Sequence, residues 1–222
     1  MPKFLIVSAT KFEIQPLADR FKISIQGEEG LFSSETLPDV SVLVTGVGMV
    51  NTAFYLGKYS EAKFDYIINA GVCGAINRDL KQGEIVNVIS DTISELGAED
   101  GEEFIKYPDL NLGGTNVYEN PSRISHEGFN QLKKVHGITV NKVHGSEKSI
   151  TKMKQLYAAD IESMEGAAFF RGCKDVTANY FQVRAVSNYV ERRDKSKWQM
   201  KDAIKNLNEF LIELIEDLDK KN

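Results

Sequence analysis

Two short stretches hold the residue types best suited to chemistry on a polar ligand, Met164-Glu165-Gly166 and Arg184-Ala-Val-Ser-Asn188. The first opens a helix about twenty residues before an apolar strand, and the second closes that strand. Polar groups at the carboxyl end of an apolar strand are where open α/β sheets build their sites. A carboxylate such as Glu165 suits the two hydroxyls of a ribose, each charge-assisted bond being worth roughly 1.5–3 kcal/mol. An amide such as Asn188 suits a purine edge, because it both donates and accepts. Together they point to a nucleoside pocket. The plainer alternatives are a glutamate bonded to its own helix start and a turn asparagine.

Other candidates carry less. Glu13 falls in the first turn of the helix that follows the first strand, where the helix dipole alone would favour it. Gly46-Val-Gly48 after a strand resembles half of a dinucleotide fingerprint, but Asn51 stands where the third glycine belongs. It reads as a tight strand-to-helix turn, or as a place where backbone lets a small anion or sugar come close. His126, His136 and His144 share no metal spacing; the first two read as surface residues, and His144 stays open between surface and site. Cys73 and Cys173 form no CxxC and read as two reduced, apolar-like thiols.

The elements that must position these residues follow from periodicity. Short apolar runs predict strands at Phe4 to Ser8, Val42 to Thr45, Tyr66 to Ala70, Glu84 to Ser90, Gly137 to Val143 and Tyr180 to Ser187. Helices are expected at Lys11 to Phe21 with Thr10 as cap, Val50 to Ser60, Glu147 to Tyr157, Met164 to Cys173 and Lys197 to Leu218. Lys22 to Leu37 reads as a hairpin around Gly-Glu-Glu-Gly. Residues 91–120 show no sustained period, and a connection that long is usually functional or mobile. Alternating strands and helices predict one α/β unit over residues 1–222, a three-layer α/β/α arrangement on a mixed, largely parallel sheet.

The 222 residues are 42% hydrophobic and 27% charged, which excludes wholesale disorder and allows a sizeable core. A net charge of −5 argues against a general nucleic-acid binder, which needs a basic face. The first residues are too short an apolar run for a signal peptide, and no run approaches the ~20 residues of a membrane span. The expectation is a cytoplasmic protein with no membrane or nucleic-acid partner.

Glu13, Gly46-Val-Gly-Met-Val-Asn51, Ile68-Asn-Ala-Gly-Val-Cys-Gly74, Met164-Glu165-Gly166 and Val183-Arg-Ala-Val-Ser-Asn188, in that order, resemble the purine nucleoside phosphorylase/nucleosidase superfamily over residues 3 to 218. Glu162-Ser-Met-Glu-Gly-Ala-Ala168 and Ser187-Asn-Tyr-Val-Glu191 are most similar to its hydrolases, futalosine hydrolases in particular, with the methylthioadenosine/adenosylhomocysteine nucleosidases as neighbours.

The resemblance implies hydrolysis of a ribose–purine bond without metal or other cofactor, and a homodimer or higher oligomer. Asn69 and Val72 stand where the bacterial hexameric phosphorylases place an arginine and a serine for phosphate, which favours water as nucleophile. The implied catalytic set is Glu13 as water-activating base, Arg184 beside the water, and Asn188 at the base. The implied substrate contacts are Glu165 on the diol, Met164 on the sugar, and Gly71, Ser187 and Val143 at strand ends. Adenosine-type relatives usually carry aspartate at the Asn188 position, so an amide there implies a 6-oxo base. They also carry a serine near the water where Val72 stands here. Residues 91–120 and Glu191 to Trp198 are expected beyond the ribose 5′ position, with Arg192, Arg193 or Lys195 against a distal carboxylate. A methylthioadenosine-type or other purine nucleosidase is the second reading, and a non-catalytic nucleoside-binding protein the third; the third leaves Glu13 unexplained.

Overall fold

A computed structural model describes residues 2–120, 124–175 and 179–220, so both ends of the expected unit, Met1 and residues 221–222, lie outside the described residues. In chain order the elements are β1 (Phe4–Ser8), α1 (Lys11–Arg20), β2 (Gly30–Ser33), β3 (Val40–Val44), α2 (Met49–Lys58), β4 (Tyr66–Ala75) and β5 (Ile85–Ile93). They continue with β6 (Gly97–Asp100), β7 (Glu103–Lys106), β8 (Val117–Glu119), α3 (Glu127–Gln131), β9 (Lys133–Thr139) and α4 (Glu147–Leu156). The chain closes with β10 (Ile161–Ser163), α5 (Gly166–Cys173), β11 (Tyr180–Tyr189) and α6 (Met200–Lys220).

Strand alternation sorts the core into layers. Phe4 and Ile6 pack on one side with Ile14 and Leu17 of α1, Phe129 of α3, and Leu207, Leu211 and Leu214 of α6. Leu5 and Val7, one residue out of phase, pack on the other with Leu56 of α2 and Phe169, Phe170 and Cys173 of α5. Helices therefore cover both faces, as expected. A smaller cluster seats Met153 of α4 on Ile76, Ile138, Val140 and Val190.

The sheet is mixed. β1 lies between β3 and β4, both parallel to it, while β2 runs antiparallel on the edge of β3. The other half closes on itself: β4 pairs β11, β11 pairs β5, β5 pairs β9, β9 pairs β10, and β10 returns to β4. A short three-residue β10 makes the closure, antiparallel to β4 at Ile161↔Ala75 and Glu162↔Gly74.

Three expectations are corrected. The hairpin is not internal to residues 22–37: β2 begins at Gly30 and pairs with β3, so the turn is 34–39. Residues 91–120 are structured, because β5 runs on to Ile93, Gly97–Lys106 folds as the β6–β7 hairpin and β8 adds to β5. The strand placed at Gly137 to Val143 starts earlier and ends at Thr139, leaving Val143 in the following loop.

Candidate active site

The third strand does not stop at Ala70. β4 continues through Gly71-Val-Cys-Gly74 because it is flanked along that length by β11, with Gly71↔Arg184 and Gly74↔Asn188 in register. At ~3.3 Å per residue, Gly71 and Gly74 are about 10 Å apart. The sequence-predicted residues collect around these two points.

Around Gly71 the groups are buried. Thr10 caps α1, and its N–H and hydroxyl donate to Glu13 Oε2 at 3.2 and 2.8 Å. The Val72 N–H donates to Oε1 at 3.0 Å. Burial is the main influence on this carboxyl and raises its pKa, against those hydrogen bonds and Arg184, which lower it. A carboxylate offers about four lone-pair positions, so three donors leave room for a water. A β-carbon at Gly71 would overlap the Arg184 guanidinium and crowd Glu13 Oε1, so only glycine lets the two approach here.

Helix α1 is opened at Pro16, which cannot donate an N–H. Buried Asn208 of α6 spans the gap: its Oδ1 accepts from the Leu17 N–H at 2.9 Å, and its Nδ2 donates to the Glu13 carbonyl at 2.9 Å. The backbone that carries Glu13 is thus tied to the last helix.

Arg184 is 1% exposed. Its Nε donates to Gln182 Oε1 at 3.0 Å and its Nη2 to Asn69 Oδ1 at 2.5 Å, while Nη1 lies 3.5 Å from both Glu165 Oε2 and the Val72 carbonyl. Gln182 Nε2 donates to Asp91 Oδ2 at 3.1 Å, and Thr139 Oγ1 donates to Asp91 Oδ1 at 2.7 Å. Asp91 accepts only, so it fixes the Gln182 amide, which in turn presents its oxygen to Arg184. Burial pushes the Asp91 pKa up to about 6, although its hydrogen bonds from Thr139 and Gln182 act the other way.

Glu165 is the N-cap of α5, yet its side chain makes no bond to that helix. Oε1 instead accepts from the Gly48 N–H at 3.1 Å. Gly48 has φ 100°, a conformation that favours glycine, so the Gly46-Val-Gly48 turn serves to aim one N–H at Glu165. Met164, half-buried, sits in the bend just before it.

Around Gly74 the setting changes. β11 carries a bulge between Val186 and Asn188, so Ser187 is the extra residue and Asn188 is brought opposite Gly74. The buried Ser187 hydroxyl lies 2.8 Å from Asn188 Oδ1 and 3.1 Å from the Cys73 carbonyl. Asn188 Nδ2 donates to the Tyr189 carbonyl at 2.9 Å, which fixes the amide orientation and leaves its second N–H without an acceptor among the described residues.

A cavity of about 380 Å³ opens here, lined by Gly74, Asn188, Val143, His144 and Glu162 and rimmed by residues 191–194, Lys197 and Trp198. Val143 is placed by a loop, not by a strand end. No residue of 91–120 lines this cavity, whereas Arg192, Arg193 and Lys197 do and Lys195 does not.

Sequence reasoning missed Asp91, Gln182, Asn208 and Glu162. Pro16 was the available signal for Asn208, since a helix opened by proline needs a partner. His126, read as a surface residue, is 7% exposed; it caps α3 by accepting from the Phe129 N–H at 3.1 Å. Among the described residues no cluster of ligands fits a metal ion, and no helix is long and apolar enough to cross a membrane.

The phosphorylase superfamily model matches residues 3–216. A futalosine hydrolase of Thermus thermophilus is 30% identical over 172 residues, covering 74% of this chain and 76% of that one. A futalosine hydrolase of Acidothermus cellulolyticus is 26% identical over 92% of this chain and 87% of its own. Among solved structures, the native futalosine hydrolase of Helicobacter pylori superposes with a TM-score of 0.79 at 15% identity, over 97% of this chain and 98% of that one. A mutant methylthioadenosine nucleosidase of the same organism, with 5′-methylthioadenosine in its active site, gives 0.81 at 15% identity over 98% and 99%.

Proposed function

We propose, from the premise that this chain belongs to the phosphorylase superfamily, that it hydrolyses the N-glycosidic bond of futalosine, releasing hypoxanthine and dehypoxanthine futalosine on the route to menaquinone. It is an enzyme, a hydrolase of N-glycosyl bonds of the futalosine hydrolase type. The observation that carries the reading is the pair of buried carboxylates, Glu13 and Glu165, both close to Arg184 near Gly71, with the Asn188 cavity three residues further along β4. That spacing suits a sugar at one end and a purine at the other.

In this mechanism Glu165 holds the ribose hydroxyls and Met164 covers the sugar. The C1′–N9 bond breaks with its electron pair leaving on the base, and positive charge develops on the ribose. Glu13 takes a proton from the water that attacks C1′; general base catalysis of this kind is worth roughly 10²–10⁴-fold. Arg184 balances the two carboxylates. Asn69, engaged by Arg184 and by the Val7 carbonyl at 3.0 Å, offers phosphate no cation. The second Asn188 N–H suits O6 or N7 of a 6-oxo purine, which favours futalosine over 6-amino substrates such as methylthioadenosine.

Val50 and Phe54, one turn apart on α2, are 78% and 61% exposed, and Val47 in the bend before the helix is 50% exposed. We place a second copy of the chain on these residues, as a homodimer, and the reaction in the cytoplasm, where the two unbridged cysteines are at home.

The test is hypoxanthine release from futalosine in phosphate-free, chelator-treated buffer, with methylthioadenosine and inosine alongside. Cleavage there supports the reading. A requirement for phosphate, or a preference for methylthioadenosine, overturns it.

A further inference from the structure

The mechanism above leaves the leaving purine without a proton, since the Asn188 amide cannot supply one. The cavity at Gly74 contains a pair that can. β10 and β11 flank β4, and their register sets Glu162 and Asn188 against the same residue, Gly74, from opposite sides. Glu162 is 4% exposed, a buried carboxylate that needs partners. A single residue supplies them: the His144 N–H donates to Glu162 Oε1 at 3.0 Å, and the His144 ring Nδ1 bonds to Oε2. A carboxylate only accepts, so Nδ1 carries the hydrogen. Nε2 is left with no hydrogen-bond partner among the described residues, on a side chain that lines the cavity together with Asn188.

We infer that His144, as its imidazolium, is the general acid of the reaction, with Glu162 as the positioning residue that accepts from Nδ1–H, faces the charged ring with a carboxylate and fixes its orientation. The inference rests on the nucleosidase reading. As C1′–N9 breaks, the electron pair moves into the purine and His144 Nε2–H donates its proton to N7. The attacking water gives one proton to Glu13 and its oxygen to C1′. Glu13 then returns a proton to solvent and His144 regains one, so no other reactant is consumed. A carboxylate behind an imidazole is an arrangement suited to this task. Asn188 then reads the base while His144 protonates it.

The experiment compares wild type, His144→Ala and Glu162→Gln on futalosine and on its N7-methylated form, whose base departs neutral without a proton. His144→Ala is expected to lower kcat on futalosine by on the order of 10²-fold, with KM little changed. The methylated substrate should be cut at similar rates by both proteins, and added imidazole should restore part of the lost rate. Glu162→Gln, with one acceptor for two donors, should show a smaller loss of the same pattern. Wild-type activity on futalosine separately tests the function; the His144→Ala ratio is read on whichever purine nucleoside is cleaved. If that ratio is within threefold of unity, or equal on methylated and unmethylated substrate, or expressed only in KM, the assignment is overturned. Absence of cleavage of any purine nucleoside overturns both readings.

Discussion

At Gly71 the side chains that meet come from α1, β4, α5 and β11, and Glu13, Glu165, Arg184, Gln182 and Asn69 are all 9% exposed or less. At Gly74, three residues along the same strand, Asn188 and His144 are half-buried, Val143 is 43% exposed, and the rim is a charged loop. That loop is held by exposed contacts, such as Arg78 with Glu191 at 2.8 Å and Arg193 over the Trp198 ring at 4.8 Å. Exposed ion pairs are worth little, roughly 0–1 kcal/mol. The first end is therefore over-determined by buried hydrogen bonds, and the second can adjust. Activation of the attacking water, which depends on fixed geometry, belongs at the first, and recognition and protonation of the base at the second.

The sharpest way to break this contrast is Glu13→Gln. It keeps the shape and removes the base, so kcat should fall on the order of 10²–10⁴-fold while product binding persists. Burial raises the Glu13 pKa, so the acid limb of kcat/KM should lie above the ordinary glutamate range, activity being lost as pH falls through it. A variant with wild-type kcat would remove Glu13 from the mechanism.

Asp91 tests whether the buried end carries an electrostatic cost. Its folded pKa, about 6, lies above its ordinary 3.8, so between those values the folded protein holds a proton that the unfolded chain has lost. Stability must then fall as pH rises across that window, by about 3 kcal/mol. Asp91→Asn has no such group, and urea unfolding at pH 4 and pH 7 should show wild type losing about that much relative to the variant. Parallel pH profiles would mean that Asp91 is not strained by burial.

Glu165→Gln probes the same end through the ligand. The charge on each diol bond is lost, and Arg184 keeps a buried charge with one partner fewer. Both KM and kcat should worsen, together by about 1.5–3 kcal/mol in kcat/KM. A change in kcat alone would move Glu165 from the sugar to the water.

The two ends also differ in how far the sequence revealed them. β1, β3 and α6 were legible because apolar runs and a helical stripe are local signals. Glu13, Glu165, Arg184 and Asn188 were legible because their order and spacing resemble a family. The length of β4, the three-residue β10 and the bulge at Ser187 were not, since each is created by a strand distant in sequence. Asp91 looked like the start of a loop, and only pairing with β9 and β11 buries it against Thr139 and Gln182. His144 could not be assigned, because Glu162 reaches it only after β10 is laid beside β9 and β4.

Asn188→Asp acts at the adjustable end and sharpens the contrast most directly. The amide orientation is set by the Tyr189 carbonyl, which accepts from Nδ2 and leaves the second N–H for the base. An ionised aspartate has no N–H to offer O6, and it sets an acceptor against the Tyr189 carbonyl as well. A lost buried pairing costs about 1–3 kcal/mol, on the order of a five- to hundredfold loss in kcat/KM for a 6-oxo nucleoside. A 6-amino base offers a donor at the same position, so its cleavage should fall less or rise. The backbone at this end tolerates the change: Asn188 is half-buried, and Gly74 beside it leaves the side chain room, a β-carbon there first meeting Val190 at 3.0 Å. The stability cost should therefore be limited to the lost bond to Tyr189, about 0.5–1.5 kcal/mol, and smaller than for any charge change around Arg184. The measurement is kcat/KM for futalosine and for its 6-amino analogue in both proteins, with the urea midpoint as control. An unchanged preference in a variant that still unfolds cooperatively would mean that Asn188 does not read the base, and that discrimination resides in the 191–198 rim.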